Sequence, residues 1–522
     1  MKRILAGLML FSWSVVATAG PAAPQKPKLI VAVVVDQFRY DYLLRFRADY
    51  TSGFRKILEQ GAVFDNAHLN HYPTVTAVGH STFLSGATPS LSGIVANEWY
   101  DRETGKTVTS VSDPATKLLG TDANAAGSSP RRMIVTTVGD QIKMSGQQSK
   151  VIGISIKDRA AILPAGHSAD GAYWFDDRSG HWVTSSYYMD TLPVWVNQIN
   201  EGKPAAKARN GMWYPVDAKP GAGKAFCTMG TATAETPKCR SFEATPWGNE
   251  VIEDFAEHAL AAEKLGQHSG TDILAVSFSA NDYVGHAMGP DSPEVRDISI
   301  RTDRLLGKLL DDIDKTVGLN NVVFVLTADH GVVPVPEVSV AGRMNGGRLS
   351  AAVLQKAMED ALAAKYGAGK WIVNISATGP YLNRELIESK KLDEAEVEKT
   401  AADAARKTPH VFRVYTSDQI INGQVAGDSI ETRIRNGVYP GRSSDLFIIQ
   451  EPGYLYEAGG TSHGTPFNYD THVPLIFMGP GIKPGHYYEE VAANDIAPTL
   501  AAIARVQEPD GSIGRVLQEM WQ

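Results

Sequence analysis

Short runs of consecutive apolar residues recur along this chain of 522 residues, and each run stops at polar residues. The first run is Leu29–Val35, "LIVAVVV", which is followed by Asp36. An unbroken run of this length, rich in β-branched residues, is typical of a strand that is buried on both faces in a parallel sheet. The same pattern predicts strands in four later segments, 151–159, 272–286, 321–331 and 472–481.

Segments with helical patterns lie between these strands, at 52–60, 292–318 and 495–506. The alternation predicts one α/β domain over residues 20–522, with a doubly wound, mostly parallel central sheet and helices on both of its faces. Two segments, about 165–250 and about 340–445, do not follow the alternation. We expect both to be insertions that cap a site at the edge of the sheet.

Residues 1–19 have the composition of a cleavable signal peptide. They begin with the basic residues Lys2 and Arg3, continue with an apolar stretch, and end with the small residues Ala17 and Ala19. This order is typical of secretory signals. The segment has no cysteine for a lipid anchor, and no later segment is apolar and long enough to span a bilayer. We therefore expect a periplasmic or secreted protein without a stable membrane anchor.

Charge and cysteine content restrict the possible functions further. The formal net charge is -8 and the acidic residues are spread along the chain, which disfavours a nucleic-acid-binding protein. Cys227 and Cys239 are the two cysteines. In an exported protein this spacing favours a disulfide, worth about 2–4 kcal/mol of stability, over a metal pair. Free thiols are the alternative.

Six acidic and imidazole side chains lie at or near the ends of the predicted strands, where open α/β sheets bind their ligands. They are Asp36, Asp282, His286, Asp329, His330 and His463. Each of them alone would be interpreted as a turn residue or as a hydrogen-bonded histidine. As a set, these oxygen and nitrogen ligands suit zinc and are numerous enough for two ions. Two such ions can hold the attacking and leaving oxygens of an in-line displacement at phosphorus.

Thr76 lies where the segment "HYPTVTAVGHSTFLSGATP" is predicted to become helical. Taken alone, a threonine at this place is an N-cap residue. Next to a metal ion the same hydroxyl would have a lowered pKa, and the free N–H groups of the helix would favour an incoming phosphate. Thr76 is thus either a helix cap or a nucleophile, and a metal site beside it favours the nucleophile.

The motifs that carry this chemistry are Asp36, "PTVTAVGHSTFLSGATPSLSGIVAN", Asp282-x-x-x-His286, "TADHG" and "SHG". Together they resemble the alkaline phosphatase superfamily, specifically its branch with a threonine nucleophile. The resemblance covers most of the mature chain and implies an alkaline phosphatase-like fold that binds two Zn²⁺ ions. It also implies that one ion is held by Asp36, Thr76, Asp329 and His330, and the other by Asp282, His286 and His463.

The resemblance assigns a role to Asn97, which follows Thr76 by 21 positions. In the superfamily an asparagine at this place donates a hydrogen bond to a phosphoryl oxygen. Without the resemblance, Asn97 in "GIVANEWY" would be interpreted as a turn residue.

Lys157 and Arg159, in "SIKDR", bear on the kind of ester. Two residues apart at the end of a strand, their side chains are expected to point to the same side, toward the metal site. The alternative is a solvated strand end with an ion pair to Asp158. The pair resembles that of the phosphate-irrepressible type of alkaline phosphatase, in which both side chains bind phosphoryl oxygens. Two cations favour the dianionic group of a monoester over a diester.

The resemblance therefore implies hydrolysis of small phosphate monoesters through a phosphothreonine intermediate, with release of inorganic phosphate. It further implies two metal ions rather than three, and we expect a monomer. A phosphodiesterase or nucleotide pyrophosphatase of the same superfamily is the alternative. Those relatives usually read Thr-Phe-Pro-Asn-His at the nucleophile, whereas this chain reads "TAVGH" from Thr76 to His80. A non-catalytic zinc or phosphate-binding protein is the third possibility.

Overall fold

A computed structural model describes residues 25–121, 125–219, 223–425 and 427–522, so the predicted signal peptide lies outside the described residues. An eleven-stranded sheet forms the centre of the fold. Its strands, numbered in chain order, are β1 (Leu29–Val35), β2 (Ala62–Phe64), β3 (Ser112–Leu119), β4 (Ala126–Ser128), β5 (Val151–Ser155), β6 (Gly171–Asp176), β7 (His181–Ser185), β8 (Asp272–Phe278), β9 (Val322–Thr327), β10 (Leu475–Met478) and β11 (Gly485–Tyr487).

The middle of the sheet consists of five parallel strands in the order β9, β1, β8, β5 and β6. Every side chain of β1, β8 and β9 is buried. Since successive side chains of a strand point to opposite faces, both faces of this part of the sheet must be covered. Antiparallel strands extend it on both sides, with β10 beside β9 and β7 beside β6. The predicted α/β architecture with a mostly parallel sheet is confirmed.

The longer helices are α1 (Gly53–Gln60), α2 (Thr76–Ser85), α3 (Asp158–Ala165), α4 (Val194–Glu201), α5 (Pro246–Ala262), α6 (Ala280–Met288), α7 (Pro293–Thr316), α8 (Ala351–Tyr366), α9 (Glu394–Ala405), α10 (Ser429–Gly437) and α11 (Ile496–Ala504). The three helical segments expected from the sequence correspond to α1, α7 and α11. α7 packs against α1 and α5, and α2 packs against α3. In the described part of the chain, every helix is too short or too polar to cross a bilayer.

Shorter helices connect these elements, at Asp41–Arg45, Pro89–Ser92, Val138–Met144, Pro336–Ala341, Arg384–Ser389, Ser417–Ile421 and Asn468–Thr471. Six pairs of short strands lie outside the central sheet among the described residues. They are Ala67–His68 with Val491–Ala492, Glu98–Asp101 with Lys106–Thr109, Met212–Trp213 with Cys227–Thr228, Gly347–Arg348 with Tyr454–Leu455, Ile372–Ile375 with Pro380–Leu382, and Val411–Thr416 with Leu446–Gln450.

The two segments interpreted as insertions differ from each other. Segment 165–250 contains β6 and β7 of the central sheet, so its expected beginning at residue 165 is wrong. The two strands were not predicted because this part of the sequence is rich in aromatic residues and lacks the apolar runs of the other strands. The later part of this segment carries the disulfide Cys227–Cys239, which confirms the expected pairing. Segment 340–445 contains α8, α9 and α10, and residues of α8 and α9 build a separate apolar cluster around the buried Trp371.

Candidate active site

Three adjacent parallel strands bring the three predicted carboxylates to one edge of the sheet. β1 pairs in register with β8 and β9, so Val35 lies opposite Phe278 and Val34 opposite Thr327. Asp36 follows β1 directly, Asp282 lies in the first turn of α6 after β8, and Asp329 lies two residues beyond β9. The register of the strands thus places these three aspartates at the carboxyl end of the sheet, where α/β folds bind ligands.

Asp282, His286 and His463 form one compact group of possible metal ligands. Nε2 of His286 lies 3.2 Å from Asp282 Oδ1, and Nε2 of His463 lies 3.7 Å from the same oxygen. The four-residue spacing of Asp282 and His286 in α6 places both on one face of the helix, as expected from the sequence.

Asp36, Asp329 and His330 lie next to this group, with His330 in contact with both carboxylates. Nε2 of His330 lies 3.2 Å from Asp329 Oδ2 and 3.6 Å from Asp36 Oδ1. Asp282 also forms a second group with Asp36 and His330, because its carboxylate lies within ligand distance of both. The rings of His330 and His463 stack with their centroids 3.5 Å apart. All six predicted ligands therefore converge in one continuous cluster.

The three imidazoles are oriented alike, with Nδ1 directed at a backbone carbonyl. Nδ1 of His286 lies 2.8 Å from Thr461 O, that of His463 lies 2.8 Å from Thr74 O, and that of His330 lies 2.9 Å from Gly331 O. Nδ1 must donate its proton in each of these bonds, so a neutral ring carries its lone pair on Nε2. Each Nε2 lone pair then faces a carboxylate oxygen, an arrangement that either a proton on Nε2 or a metal ion between the two atoms satisfies.

Two carboxylate oxygens also lack a partner. Asp36 Oδ1 and Asp329 Oδ2 are buried and form no hydrogen bond with any described residue. Burial and the neighbouring Asp329 raise the pKa of Asp36 well above its ordinary value. Divalent cations would supply both the missing partner of these oxygens and the positive charge that offsets the carboxylates. The residues present therefore fit a metal site with mixed oxygen and nitrogen ligands, the chemistry that zinc accepts.

Thr76 is the first residue of α2 and does not cap it. The N-cap residue is Val75, whose own side chain makes no capping hydrogen bond. The Thr76 hydroxyl is buried and points instead into the cluster, with Oγ1 3.5 Å from His330 Nε2 and 3.4 Å from Lys157 Nζ. The N-cap interpretation of Thr76 is therefore wrong, and its oxygen lies at a helix N-terminus among possible metal ligands.

Gly79 and His80 explain how α2 comes so close to the strand ends. A Cβ atom on Gly79 would lie 2.3 Å from the carbonyl oxygen of Asp329, so only glycine allows this approach. His80 is buried, with Nδ1 2.9 Å from Thr76 O and 3.3 Å from Asp329 Oδ2. Its Nε2 contacts Ser277 Oγ at 2.9 Å. His80 thus connects the backbone of Thr76 to β8 and to a predicted metal ligand.

Lys157 is buried inside the carboxylate cluster. The alternative interpretation of this residue as part of a solvated strand end is therefore wrong. Its Nζ is 2.6 Å from Asp36 Oδ2 and 2.7 Å from Asp282 Oδ2. Burial acts to lower the pKa of Lys157, but Asp282 and Asp36 outweigh it, so the pKa is raised and the amine stays protonated. Burial likewise acts to raise the pKa of Asp282, but Lys157 and His286 outweigh it and lower that pKa.

The expectation that Lys157 and Arg159 point to one side because they lie two residues apart in a strand is wrong. Both side chains nevertheless line the same cavity. β5 ends at Ser155, Lys157 is the N-cap residue of α3, and Arg159 lies in the first turn of that helix. The alternation of a strand therefore does not apply to them. The cavity that both residues line has a volume of about 670 Å³. Nε of Arg159 is buried there without a hydrogen-bond partner among the described residues.

Asn97 contacts the beginning of α2. Its Oδ1 accepts a hydrogen bond from the backbone N–H of Ala77 at 2.8 Å. This bond uses the acceptor end of the amide, so the NH₂ end is the one that can donate to a ligand. Asn97 also lines a second cavity together with His286 and His463. The structure therefore places Asn97 beside the cluster, next to the residue that follows Thr76.

Gln37 is a residue of this site that the sequence did not reveal. Its backbone N–H donates to Asp329 Oδ1 at 3.1 Å, and its Nε2 donates to Asp282 Oδ1 at 2.6 Å. Its side chain packs against Gly285, where a Cβ atom would lie 1.8 Å from Gln37 Oε1. The available signal was its position directly after the strand-end Asp36. Gln37 holds carboxylates from two strand ends in place.

We expect Gln37→Ala to weaken metal binding by about 10- to 100-fold, the usual effect of removing a hydrogen bond to a metal ligand. Asp282 would lose the bond that orients one of its oxygens. Competition with a chelator measures the affinity. Gln141→Ala is a matched control, because Gln141 hydrogen-bonds to Thr136, away from the cluster. Equal affinities of the Gln37 variant and the control would exclude this role.

Comparison with known proteins identifies the family. Residues 30–472 match the type I phosphodiesterase / nucleotide pyrophosphatase family. The chain is 37% identical to alkaline phosphatase PafA of Elizabethkingia meningoseptica, over 99% of both chains. It is 38% identical to alkaline phosphatase PhoV of Synechococcus elongatus, over 96% of this chain and 94% of that protein.

Solved structures agree with these relatives. The crystal structure of wild-type PafA matches with a TM-score of 0.88 and 35% identity, covering 96% of this chain and 100% of that one. A solved variant of PafA, in which a threonine, an asparagine, a lysine and an arginine are replaced, matches with the same TM-score of 0.88.

The fold and these similarities define a hydrolase of the metal-dependent alkaline phosphatase superfamily, as the sequence motifs implied. Within it, the chain belongs to the type I phosphodiesterase / nucleotide pyrophosphatase family and is a phosphatase similar to PafA and PhoV. The alternative of a non-catalytic binding protein is thereby excluded.

Proposed function

We propose that this enzyme hydrolyses phosphate monoesters by transferring the phosphoryl group to Thr76 and then to water. The observation that carries the proposal is the position of Thr76 Oγ1. This oxygen is buried at a helix N-terminus, 3.4 Å from the Lys157 ammonium and 3.5 Å from His330, next to both groups of possible metal ligands. The only products are the free alcohol and inorganic phosphate.

Two Zn²⁺ ions are the cofactors that the donor set favours. Asp36, Thr76, Asp329 and His330 would hold one of them, and Asp282, His286 and His463 the other. When bound, such ions supply the positive charge that stabilises the attacking and leaving oxygens in a displacement at phosphorus. The cations Lys157 and Arg159 would occupy the place at which a third ion acts in other superfamily members, so we propose two ions.

The side chains of this protein position the reacting atoms. The Lys157 ammonium lies close enough to stabilise the Thr76 oxygen as it loses its proton, and the dipole of α2 favours an anionic phosphate in front of its N-terminus. A bond forms between Thr76 Oγ1 and phosphorus while the bond to the ester oxygen breaks, and that oxygen leaves as the alcohol, whose hydrogen balances the proton that Thr76 loses. Water then cleaves the phosphothreonine, which restores the hydroxyl and releases phosphate.

Charge next to Thr76 favours a monoester over a diester. Lys157, Arg159 and Arg240 line the cavity of about 670 Å³ beside the cluster, together with three carboxylates, and of these six charged groups Lys157 is the one in contact with Thr76 Oγ1. A monoester presents one more anionic oxygen than a diester, and charge-assisted hydrogen bonds to it are the strong ones. The PafA variant supports the residue set, because its replaced threonine and asparagine are 21 positions apart, like Thr76 and Asn97. Its replaced lysine and arginine are two positions apart, like Lys157 and Arg159.

We expect the double variant Lys157→Ala, Arg159→Ala to lose monoester hydrolysis selectively. Two hydrogen bonds to charged groups, each worth about 1.5–3 kcal/mol, correspond to a loss of about 100-fold or more in kcat/KM. The loss for a diester should be at least tenfold smaller than that for the monoester, because one of these anionic oxygens is absent and one hydrogen bond fewer is lost. Initial rates on 4-nitrophenyl phosphate and methyl 4-nitrophenyl phosphate give both values.

The exposed cation Lys315 provides the control, because Lys315→Ala changes charge in the last turn of α7, a helix that contributes no residue to the described lining of this cavity. Metal content is measured in the same samples. Equal losses on both esters would contradict the monoester proposal and favour the phosphodiesterase alternative, which the description of the matched family also names.

We also infer that the protein acts as a monomer in the periplasm or outside the cell, after removal of residues 1–19. The composition of that segment supports export. The Cys227–Cys239 disulfide supports the same compartment, because disulfides persist in oxidising surroundings.

A further inference from the structure

We propose that an apolar cavity beside the metal-ligand cluster binds the organic group of the substrate, so that the preferred substrates are phosphate monoesters of apolar alcohols or phenols. This inference rests on the proposed monoester hydrolysis and adds the class of leaving group. The cavity has a volume of about 430 Å³, within the range of sites for small molecules.

The cavity begins at the cluster itself. Asn97, His286 and His463 line one end of it. Val75, directly before Thr76, and Gly464, directly after His463, line it as well. A molecule in this cavity would therefore touch the same residues that surround the proposed reaction.

The walls further from the cluster are mostly apolar. Leu354 and Met358 of α8 contribute to them, together with Tyr72, Ile448 and Leu455. These five side chains are buried in the protein. The polar residues Gln355, Gln450 and Glu457 also line the cavity and can face water at its mouth. Moving apolar surface from water against such walls is favourable, so the cavity selects an apolar group.

The cavity lies on the side from which the alcohol would leave. In an in-line displacement, the attacking and leaving oxygens lie on opposite sides of phosphorus. His330 Nε2 lies 3.5 Å from the attacking Thr76 oxygen, and neither His330 nor its neighbours Asp36 and Asp329 belong to the described lining of the cavity. His286 and His463, from the other group, do line it. The ester oxygen and its organic group are thus directed into the apolar cavity.

A second cavity near the cluster offers the phosphoryl oxygens a different place from the apolar cavity. The cavity of about 670 Å³ also touches His286, but its lining is charged, with three cations, Lys157, Arg159 and Arg240, and three carboxylates, Asp158, Asp177 and Glu243. The cations of this lining, Lys157 first among them because it also contacts Thr76, can stabilise anionic oxygens, whereas the apolar walls cannot. The charged cavity therefore suits the phosphoryl group, and the apolar cavity suits the organic group.

Phosphonates test whether the organic group binds in the apolar cavity. Their carbon–phosphorus bond is not hydrolysed, so their binding does not depend on how readily a leaving group departs. Methylphosphonate and hexylphosphonate present the same anionic head with a short and a long apolar chain. Inhibition constants are measured against hydrolysis of 4-nitrophenyl phosphate by the full-length, metal-loaded enzyme. We expect hexylphosphonate to bind at least tenfold more tightly, since each buried CH₂ group adds to affinity.

Two adjacent alanines of α8 offer a matched pair of variants. Ala351 and Ala352 are both exposed and lie in the first turn of the helix, but of the two only Ala351 lines the cavity. Ala351→Asp places a carboxylate at the apolar wall and should reduce the preference for hexylphosphonate threefold or more. Ala352→Asp adds the same charge to the same turn and should leave the preference unchanged.

Each outcome decides the inference. Equal binding of the two phosphonates by an enzyme that hydrolyses 4-nitrophenyl phosphate overturns the apolar subsite and leaves the proposed function standing. Equal effects of the two aspartate variants assign the preference to charge, which also overturns the subsite. An enzyme that neither hydrolyses 4-nitrophenyl phosphate nor binds methylphosphonate overturns both proposals.

Discussion

Thr76→Ala is expected to reduce turnover of 4-nitrophenyl phosphate by about 10⁴-fold or more, since removing a catalytic nucleophile has effects of this order or larger. The variant lacks the oxygen that receives the phosphoryl group, whereas the carboxylates and imidazoles of the cluster remain. It should therefore still bind metal. Steady-state kinetics and metal analysis of one preparation measure both properties.

Two further variants make this result specific. Thr76→Ser keeps a hydroxyl and should retain measurable turnover with a phosphorylated serine as intermediate. Thr82→Ala removes a buried hydroxyl from the same helix, one that donates to Ala87 O and not to the cluster. It should keep full activity in its folded state. Full activity of Thr76→Ala would show that another group attacks phosphorus.

Asp282→Ala is expected to lower metal content below two ions per chain and to reduce kcat/KM by about 10⁴-fold, because two-metal chemistry requires both sites. Asp282 occupies the centre of the cluster. Its carboxylate contacts Lys157, Gln37 and His286, and it belongs to both groups of possible ligands. Elemental analysis of dialysed protein gives the number of ions bound.

The matched control is Asp312→Asn. Asp312 belongs to another acidic group with metal-like spacing, but the ammonium of Lys308 already pairs with the carboxylates of that group. Its substitution should leave metal content and activity unchanged. Three tightly bound ions in the unmodified protein would contradict the two-metal proposal, and unchanged metal content in Asp282→Ala would show that Asp282 is not a ligand.

The strands and the clustered ligands were predictable because their signals are local. The run of seven apolar residues Leu29–Val35 indicates a central strand, and Asp36 is the first residue after that strand. The spacing of Asp282 and His286 indicates one helix face without knowledge of the rest of the chain. Parallel strands then bring such end residues together wherever they lie in the sequence.

Other residues were predicted for the wrong reason or missed. Lys157 and Arg159 were assigned to a strand, but β5 ends at Ser155 and the chain turns into α3. Where a short strand ends is decided by packing against neighbouring elements, which the local pattern does not contain. Gln37 was missed because its two hydrogen bonds reach residues 245 and 292 positions away.

By itself the amino-acid sequence determined the α/β architecture, the set of possible metal ligands and the threonine beside them, because hydrophobic pattern and residue chemistry act over a few neighbouring positions. Only the tertiary structure decided that Thr76 is not a helix cap, that Lys157 lies between two carboxylates, and that an apolar and a charged cavity meet at His286. Those features depend on distances between segments far apart in the chain, and such distances are set by how the whole core packs.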